Sequence, residues 1–217
     1  MELKDIIYKR QSVREYTDAE IPKEDILKII DAARVAPSGK NCQNWHFVVI
    51  RDRELRNKIG QAILDKNEEI AVEMDRKDPE KGLRFRKFVR RFTLFGMEAP
   101  VLIAVYATEY KPDGWAELTF AEYPQDVIDE LNVRNPGMQS IGAAVENMTL
   151  TAIDLGYGSC WMSGHSYAAG DIESVIKQET GFEKENYFLA CLLPIGVPAG
   201  ERKSPAKNEL EEICTFV

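Results

Sequence analysis

Apolar residues recur along the chain in two rhythms, one helical and one of short uninterrupted runs. Leu3, Ile6 and Ile7 stand at helical spacing and predict a short amphipathic helix over about the first eight residues. Arg10 to Tyr16 reads as extended or loop chain. A stronger helix opens at Ile21-Pro22: proline suits the first turn, and Glu24 and Asp25 favour its positive end. Ile26, Leu27, Ile30 and Ala33 form its predicted apolar stripe, and it ends before Pro37. The run from Asn44 to Ile50, N-W-H-F-V-V-I, is apolar and β-branched between polar flanks, the mark of a buried strand. Residues 52–94 are densely charged and predicted helical, with a break around Asp78-Pro79. Val101 to Ala107, introduced by Pro100, predicts a second buried strand.

The rhythm is lost over residues 108–138, which hold Pro112, Gly114, Pro124, Pro136 and Gly137 with Trp115, Phe120 and Tyr123 among them. A long irregular stretch inside a compact domain is usually functional or mobile. It returns with Ile141, Ala144, Val145, Met148, Ala152 and Leu155, a helix that Gly156 stops. Ser159 to Met162 predicts a short strand or turn, Asp171 a capped helix ending at Gly181, and Tyr187 to Leu193 a third strand. After Pro198 the tail is charged and then closes apolar at Ile213, Phe216 and Val217. No repeat, low-complexity stretch or linker interrupts this order, so one domain of mixed α and β over residues 1–217 is expected.

Composition adds bounds. With 44% hydrophobic and 29% charged residues the chain is ordinary for a globular protein. Its 28 Lys and Arg against 36 Asp and Glu leave a net charge of −8, which argues against nucleic acid or an anionic membrane as partner. Cys42, Cys160, Cys191 and Cys214 are scattered without a C-x-x-C pair. Each stands beside apolar or aromatic residues, which predicts reduced core or near-core thiols in a reducing compartment, with no metal site or disulfide frame. The N-terminus is charged throughout, unlike a signal peptide. The longest apolar run, Phe188 to Val197, contains Pro194 and falls far short of the roughly 20 residues that span a bilayer. A cytoplasmic protein is the expectation.

Three segments are candidates for chemistry. In extended chain Arg10, Ser12 and Arg14 share a face, and two guanidiniums flanking a hydroxyl suit a phosphate; taken alone, they better suit solvated arginines paired with surface acids such as Glu15 or Asp18. The loop Ala36-Pro-Ser-Gly-Lys-Asn-Cys-Gln-Asn-Trp45 offers Ser38, Asn41 and Gln43, which read a heterocycle's edge or a polyol, or simply close turns. Gly156-Tyr-Gly-Ser-Cys-Trp-Met-Ser-Gly164 carries only G-x-G and follows a helix instead of opening one, so it is not a dinucleotide fingerprint. What remains is a turn, Trp161 to Gly164, whose backbone N–H groups can approach a flat ligand. His46, in a buried-strand pattern, predicts a core or interface histidine, and His165 lies far from it in sequence. No G-x-S-x-G elbow or paired carboxylates stand out. A chain poor in acid–base side chains but equipped for phosphate and ring edges points to a cofactor that supplies the chemistry.

In type, order and spacing these segments resemble the FMN-dependent nitroreductase family. The resemblance runs from Arg10–Arg14 through Ala36–Trp45 and Gly142-Ala-Ala-Val-Glu-Asn147 to Leu155–Trp161 and Leu193-Pro-Ile-Gly196. It implies an α+β nitroreductase fold, a mostly antiparallel sheet flanked by helices, in an intertwined homodimer with FMN at the interface. The apolar C-terminal residues would be an arm on the partner, with packing on their own subunit as the alternative. By the same resemblance Arg10, Gln11, Ser12 and Arg14 would hold the phosphate and ribityl chain. Lys207, or else Arg202 or Lys203, would be the C-terminal phosphate ligand. Pro37, Ser38, Gly39, Asn41 and Gln43 would form the loop offered by the second subunit. Gln139 and Ser140 would reach ribityl or ring, and Met162, Ser163 and Gly164 would lie along the ring, with a Ser163 or Gly164 N–H near N5. The chain departs from the family at Asn44, often Pro, and at Ser140 or Ser163, where an acid is common. The implied activity is ping-pong transfer of hydride from NAD(P)H to a nitroaromatic, quinone or similar small acceptor, with Trp115, Phe120 and Tyr123 as candidate substrate contacts. Alternatives on the same scaffold are reductive dehalogenation, another flavin reaction such as flavin destruction or dehydrogenation of a peptide heterocycle, and a non-enzymatic FMN-binding or sensing protein.

Overall fold

Every residue from Val101 to Ala107 is buried, and the strand's alternation sends them into two separate cores. The computed structural model describes residues 2–200 and 204–217. Strands β1 (Trp45–Ile50), β2 (Val101–Thr108), β3 (Gly158–Ser159) and β4 (Tyr187–Gly196) form one antiparallel sheet in the order β1-β2-β4-β3. On one face Val101, Ile103, Val105 and Ala107 pack with Cys191, Leu193 and Ile195 against helices α2 (Lys23–Arg34) and α7 (Pro136–Asp154). On the other, Leu102, Ala104 and Tyr106 pack with Leu192 against α3 (Arg53–Asp75), α4 (Pro79–Phe92) and α8 (Ala169–Thr180). A sheet covered on both faces has no wet side, which is why its central strand reads as an unbroken apolar run.

The break at Asp78-Pro79 is a helix cap. Asp78 accepts hydrogen bonds from the N–H groups of Glu80 and Lys81, and Pro79 starts α4. Arg86 then ties α4 back to α3 through Glu68 at 2.7 Å and Asp75 at 2.8 Å. The other helices are α1 (Leu3–Lys9), α5 (Trp115–Phe120), α6 (Gln125–Val133) and the single turn α9 (Leu210–Ile213). No helix among the described residues is long and apolar enough to cross a membrane.

Several expectations need correction. Of the four cysteines expected in or near the core, Cys160 and Cys191 are buried, but Cys42 and Cys214 are exposed. In α2 the buried residues are Ile26, Ile29 and Ala33, while Leu27 is 55% exposed; positions i, i+3 and i+7 keep one face and i+1 leaves it. The stretch 108–138 is not irregular throughout, since it contains α5 and α6. Helix α7 begins at Pro136, earlier than the apolar pattern shows, because Asn135 adopts the left-handed conformation and its side chain caps the Met138 N–H. Gln139 and Ser140 therefore lie inside α7 and not ahead of it. Asp171 sits in the first turn of α8 while Ala168 holds the cap position, so its role is with the helix dipole. Strand β4 runs on to Gly196 because β2 and β3 both pair with its far end.

Candidate functional site: a cationic cradle and a left-handed loop

The segment after α1 is extended and docks beside the short edge strand. Ser12 bridges Ser159 in parallel, and the Val13 N–H donates to the Ser159 carbonyl at 2.9 Å. Gly158 permits this approach: a Cβ there would stand 2.9 Å from Val13 Cβ. Alternation then divides the segment. Gln11 and Val13 face a cleft shared with Lys9, Asp154, Gly156 and Tyr157, whereas Arg10, Ser12 and Arg14 gather about the Cys160 thiol, which Ser12 meets in a hydrogen bond. Gln11 is thus set apart from its three neighbours.

Arg14 lies 5.7 Å over the ring of Phe95 and donates to the Ser12 carbonyl at 3.5 Å. Among the described residues neither Arg10 nor Arg14 forms an ion pair with a carboxylate. Burial raises the Cys160 pKa, opposed by Arg14, Ser12 and Arg10, so the thiol stays protonated at neutral pH. Tyr16 beneath it donates to the Val13 carbonyl at 2.7 Å, and burial holds its phenol far above its usual range.

The turn that follows Cys160 passes beside this cradle. Met162 exchanges both backbone hydrogen bonds with Leu192, at 2.9 and 3.1 Å, and its side chain is buried against Gly96. Its thioether therefore belongs to the core, whereas Ser163 and Gly164 are exposed. Behind Gly164 lies the buried hydroxyl of Thr93, 3.3 Å from where a Cβ would be. His165 is buried, and burial lowers its pKa to about 4. His46, in contrast, is half-buried in β1 and stacks on Phe182 at 5.0 Å.

The loop from Pro37 to Gln43 is a second, separate cluster. Lys40, Asn41 and Gln43 have φ of 52°, 52° and 45°, a left-handed region costly for residues with side chains. Local bonds hold it: Ser38 Oγ accepts from the Gln43 N–H at 3.0 Å, and the Gln43 amide donates to Asn41 Oδ1 at 3.3 Å. The Gly39 N–H donates to Ser140 Oγ at 3.4 Å, which ties the loop to α7, and Lys40 pairs with Asp113. Tyr110 fills the space left by two glycines, 2.7 Å from an ideal Cβ on Gly39 and on Gly137. The side chains of Asn41 and Gln43 remain exposed.

Among the described residues no hydrogen bond, ion pair or ring contact joins the Arg10–Arg14 cradle to this loop. The loop leads into β1 at one edge of the sheet, and the cradle sits on β3 at the other. Between them α7 carries Ser140, and at Gly142 the ring of Trp161. Gln139 is exposed and donates back to the Arg134 carbonyl at 3.0 Å. Lys207 lies exposed in the tail, and its alternatives Arg202 and Lys203 lie outside the described residues. Trp115 packs under Lys111 at 4.0 Å, Phe120 is 92% exposed and Tyr123 is exposed, all on or beside α5 and away from both clusters' bonded contacts.

Sequence patterns miss Phe95, Cys160, Tyr16, Tyr110 and Thr93. Only Tyr110, an aromatic just past a buried strand, has a local signal; the others join the site through contacts distant in the chain.

The donor set suits a phosphorylated, flat ligand. Two guanidiniums without carboxylate partners among the described residues and a hydroxyl act on the one Cys160 thiol, close in sequence to an exposed glycine turn, and no group of acids or thiols arranged for a metal occurs among the described residues. A helix-covered antiparallel sheet with such a cradle at its edge defines an α+β protein of the nitroreductase fold. The family model described as "Nitroreductase family" matches residues 7–197, and the chain belongs to that family.

The chain is 31% identical over 208 residues to an iodotyrosine deiodinase of Thermotoga neapolitana, covering 96% of this chain and 95% of that protein. It is 30% identical over 197 residues, 91% of this chain and 86% of the other, to a protein of Archaeoglobus fulgidus provisionally named NADH dehydrogenase/NAD(P)H nitroreductase. A crystal structure described as a BluB-like flavoprotein from Clostridium difficile 630 matches with a TM-score of 0.98 at 56% identity, covering 100% of this chain and 99% of that one.

Proposed function

We propose that this protein is an FMN-dependent oxidoreductase that takes hydride from NAD(P)H and delivers it, in a ping-pong cycle, to a small electrophilic acceptor such as a nitroaromatic or quinone. The observation that carries the reading is the convergence of Arg10, Ser12 and Arg14, free of carboxylate partners among the described residues, beside the Ser163–Gly164 turn. Membership of the nitroreductase family and the flavoprotein and nitroreductase names of similar proteins support it.

FMN, when bound, would supply the redox chemistry of hydride transfer. The chain's own residues bind and orient. Arg10 and Arg14 offer charged donors to the phosphate and Ser12 a neutral one, with Lys207 reaching in from the tail. The backbone N–H groups of Ser163 and Gly164 would meet the ring, in a turn that Met162 anchors in the core. Ser140 holds the loop through Gly39, leaving Ser38, Asn41 and Gln43 to read ribityl and ring edges of the flavin on the partner subunit. The separation of loop and cradle within one chain supports a homodimer with FMN at the interface. The exposed Leu210, Ile213, Phe216 and Val217 fit an arm that packs on the partner. Trp115, Phe120 and Tyr123 are the proposed acceptor-side residues.

The deiodinase relative favours a second reading, in which the same site removes halide from a phenolic substrate. The absorbance spectrum of the purified protein tests the common part: a preparation without flavin bands that FMN cannot reconstitute overturns both readings. NAD(P)H oxidation with nitroaromatic, quinone and halophenol acceptors then separates them. No acceleration by any acceptor would leave a flavin-binding protein that is not this enzyme.

A further inference from the structure

The last two turns of α4 carry a surface that the proposed flavin site does not use. Lys87 and Arg91 stand four residues apart, as do Phe88 and Phe92, so each pair makes a row along the helix. All four are exposed, Phe88 by 49% and Phe92 by 44%. The phenyl rings pack with centroids 5.1 Å apart, and the Arg91 guanidinium lies 5.1 Å over Phe92. Other cations of this helix are engaged locally: Lys81 by Asp78, Arg84 by Glu80, Arg86 by Glu68 and Asp75, with Arg90 in the field of Glu68. Among the described residues, Lys87 and Arg91 have no carboxylate partner. On a chain of net charge −8, two such cations beside two half-exposed aromatic rings form a local positive, aromatic surface.

This surface adjoins the ring side of the candidate site. Phe85 packs its ring edge-on against Tyr167 at 5.4 Å. Phe92 lies seven residues further on, about two helical turns, and so stands on the same side of α4 as Phe85. The next residue, Thr93, places its hydroxyl behind Gly164, and Phe95 two positions later carries Arg14. The chain that leaves the patch thus runs directly into the residues that meet the turn and Arg14.

We infer that Lys87, Phe88, Arg91 and Phe92 bind the adenosine diphosphate part of the pyridine dinucleotide. The inference rests on the NAD(P)H reading above. A nicotinamide ring stacked at the flavin leaves the rest of the dinucleotide outside the site, where a net-negative protein repels its phosphates unless a local positive surface receives them. Guanidinium and ammonium suit the diphosphate, and the phenyl faces suit adenine, which stacks on aromatics whatever its edge. Contacts to a remote, non-reacting part of the donor tighten its binding and leave the hydride step unchanged.

The test compares the holoprotein with Lys87→Ala/Arg91→Ala and Phe88→Ala/Phe92→Ala, all surface changes, after matching FMN content and circular dichroism. KM is measured for NADH, for NADPH and for reduced nicotinamide mononucleotide, which lacks the adenylate, and ADP-ribose binding is measured by calorimetry. Loss of two charged contacts should raise KM for the dinucleotides about tenfold or more. It should leave kcat and the mononucleotide KM unchanged and abolish ADP-ribose binding. Unchanged dinucleotide KM, unchanged ADP-ribose binding, or an equal loss with the mononucleotide would overturn the inference. A wild-type flavin that dithionite reduces but none of the three donors does would instead overturn the NAD(P)H reading. In that case ADP-ribose binding lost in the variants would still uphold the patch.

Discussion

The side-chain amide of Asn44 donates to the carbonyl of Gly137 at 3.2 Å and to that of Thr108 at 3.4 Å. Asn44 is buried, and it joins three distant segments: the loop before β1, the end of β2 and the first turn of α7. A proline, common here in the family, could supply no such amide. Asn44→Ala should cost about 1–3 kcal/mol by leaving buried carbonyls unpaired. At this chain length that lowers Tm by about 2–4 °C per kcal/mol, as calorimetry would show. An unchanged Tm would mean that water replaces the amide.

The cradle makes the sharpest claim about the cofactor. Each charged hydrogen bond is worth about 1.5–3 kcal/mol, so Arg10→Ala and Arg14→Ala should each weaken FMN binding about tenfold or more. Fluorescence titration of the apoprotein measures this directly. Equal affinity in the double variant would place the phosphate elsewhere.

Because cradle and loop lie apart in one chain, a mixed dimer can locate the site. One chain carries Arg10→Ala/Arg14→Ala and the other Asn41→Ala/Gln43→Ala. If loop and cradle of different chains meet, one flavin site is fully intact and the other doubly defective. The heterodimer should then bind one FMN with wild-type affinity. Two equally weakened sites would show that each chain builds its own.

Gly158 makes room for the cradle to dock. Gly158→Ala would drive its methyl against Val13 and Pro198, 2.9 Å away, and push the Arg10–Arg14 segment off β3. Overpacking of this kind costs about 1–3 kcal/mol. FMN affinity should fall although no ligand-facing side chain has changed; normal affinity at reduced Tm would detach the glycine from the site.

His165 gives stability a pH dependence. Burial lowers its pKa from 6.5 to about 4, so between these values the unfolded chain binds the proton more readily. Stability is fully present above pH 6.5 and falls as the pH drops toward 4, by at most about 1.4 kcal/mol per pH unit from this group. His165→Gln should flatten that part of the profile in denaturant melts taken across the window. An unchanged slope would assign it to carboxylates.

Much of this was legible in the chain because its causes are local. The Asp78-Pro79 cap, the unbroken apolar strands and the Gly156 stop act through neighbours a few residues away. The Arg10-x-Ser12-x-Arg14 alternation needs only an extended backbone. Where reading failed, a short-range competitor overrode the periodicity: Asn135 started α7 early, and the prolines of 108–138 punctuate two short helices instead of forbidding them.

By itself the sequence determined the order of elements, the two-faced burial of the sheet, and the residue types able to meet a phosphate and a ring. Backbone preference and hydrophobic period act along the chain, so they can be read along it. The tertiary structure alone decided which of those residues face one another. It turned Gln11 and the Met162 side chain away, brought Cys160, Phe95 and Thr93 in, and set the Ser38–Gln43 loop at the opposite sheet edge from the arginines. Strand pairing and side-chain packing fix those relations between residues up to about 180 positions apart, where no local pattern reaches.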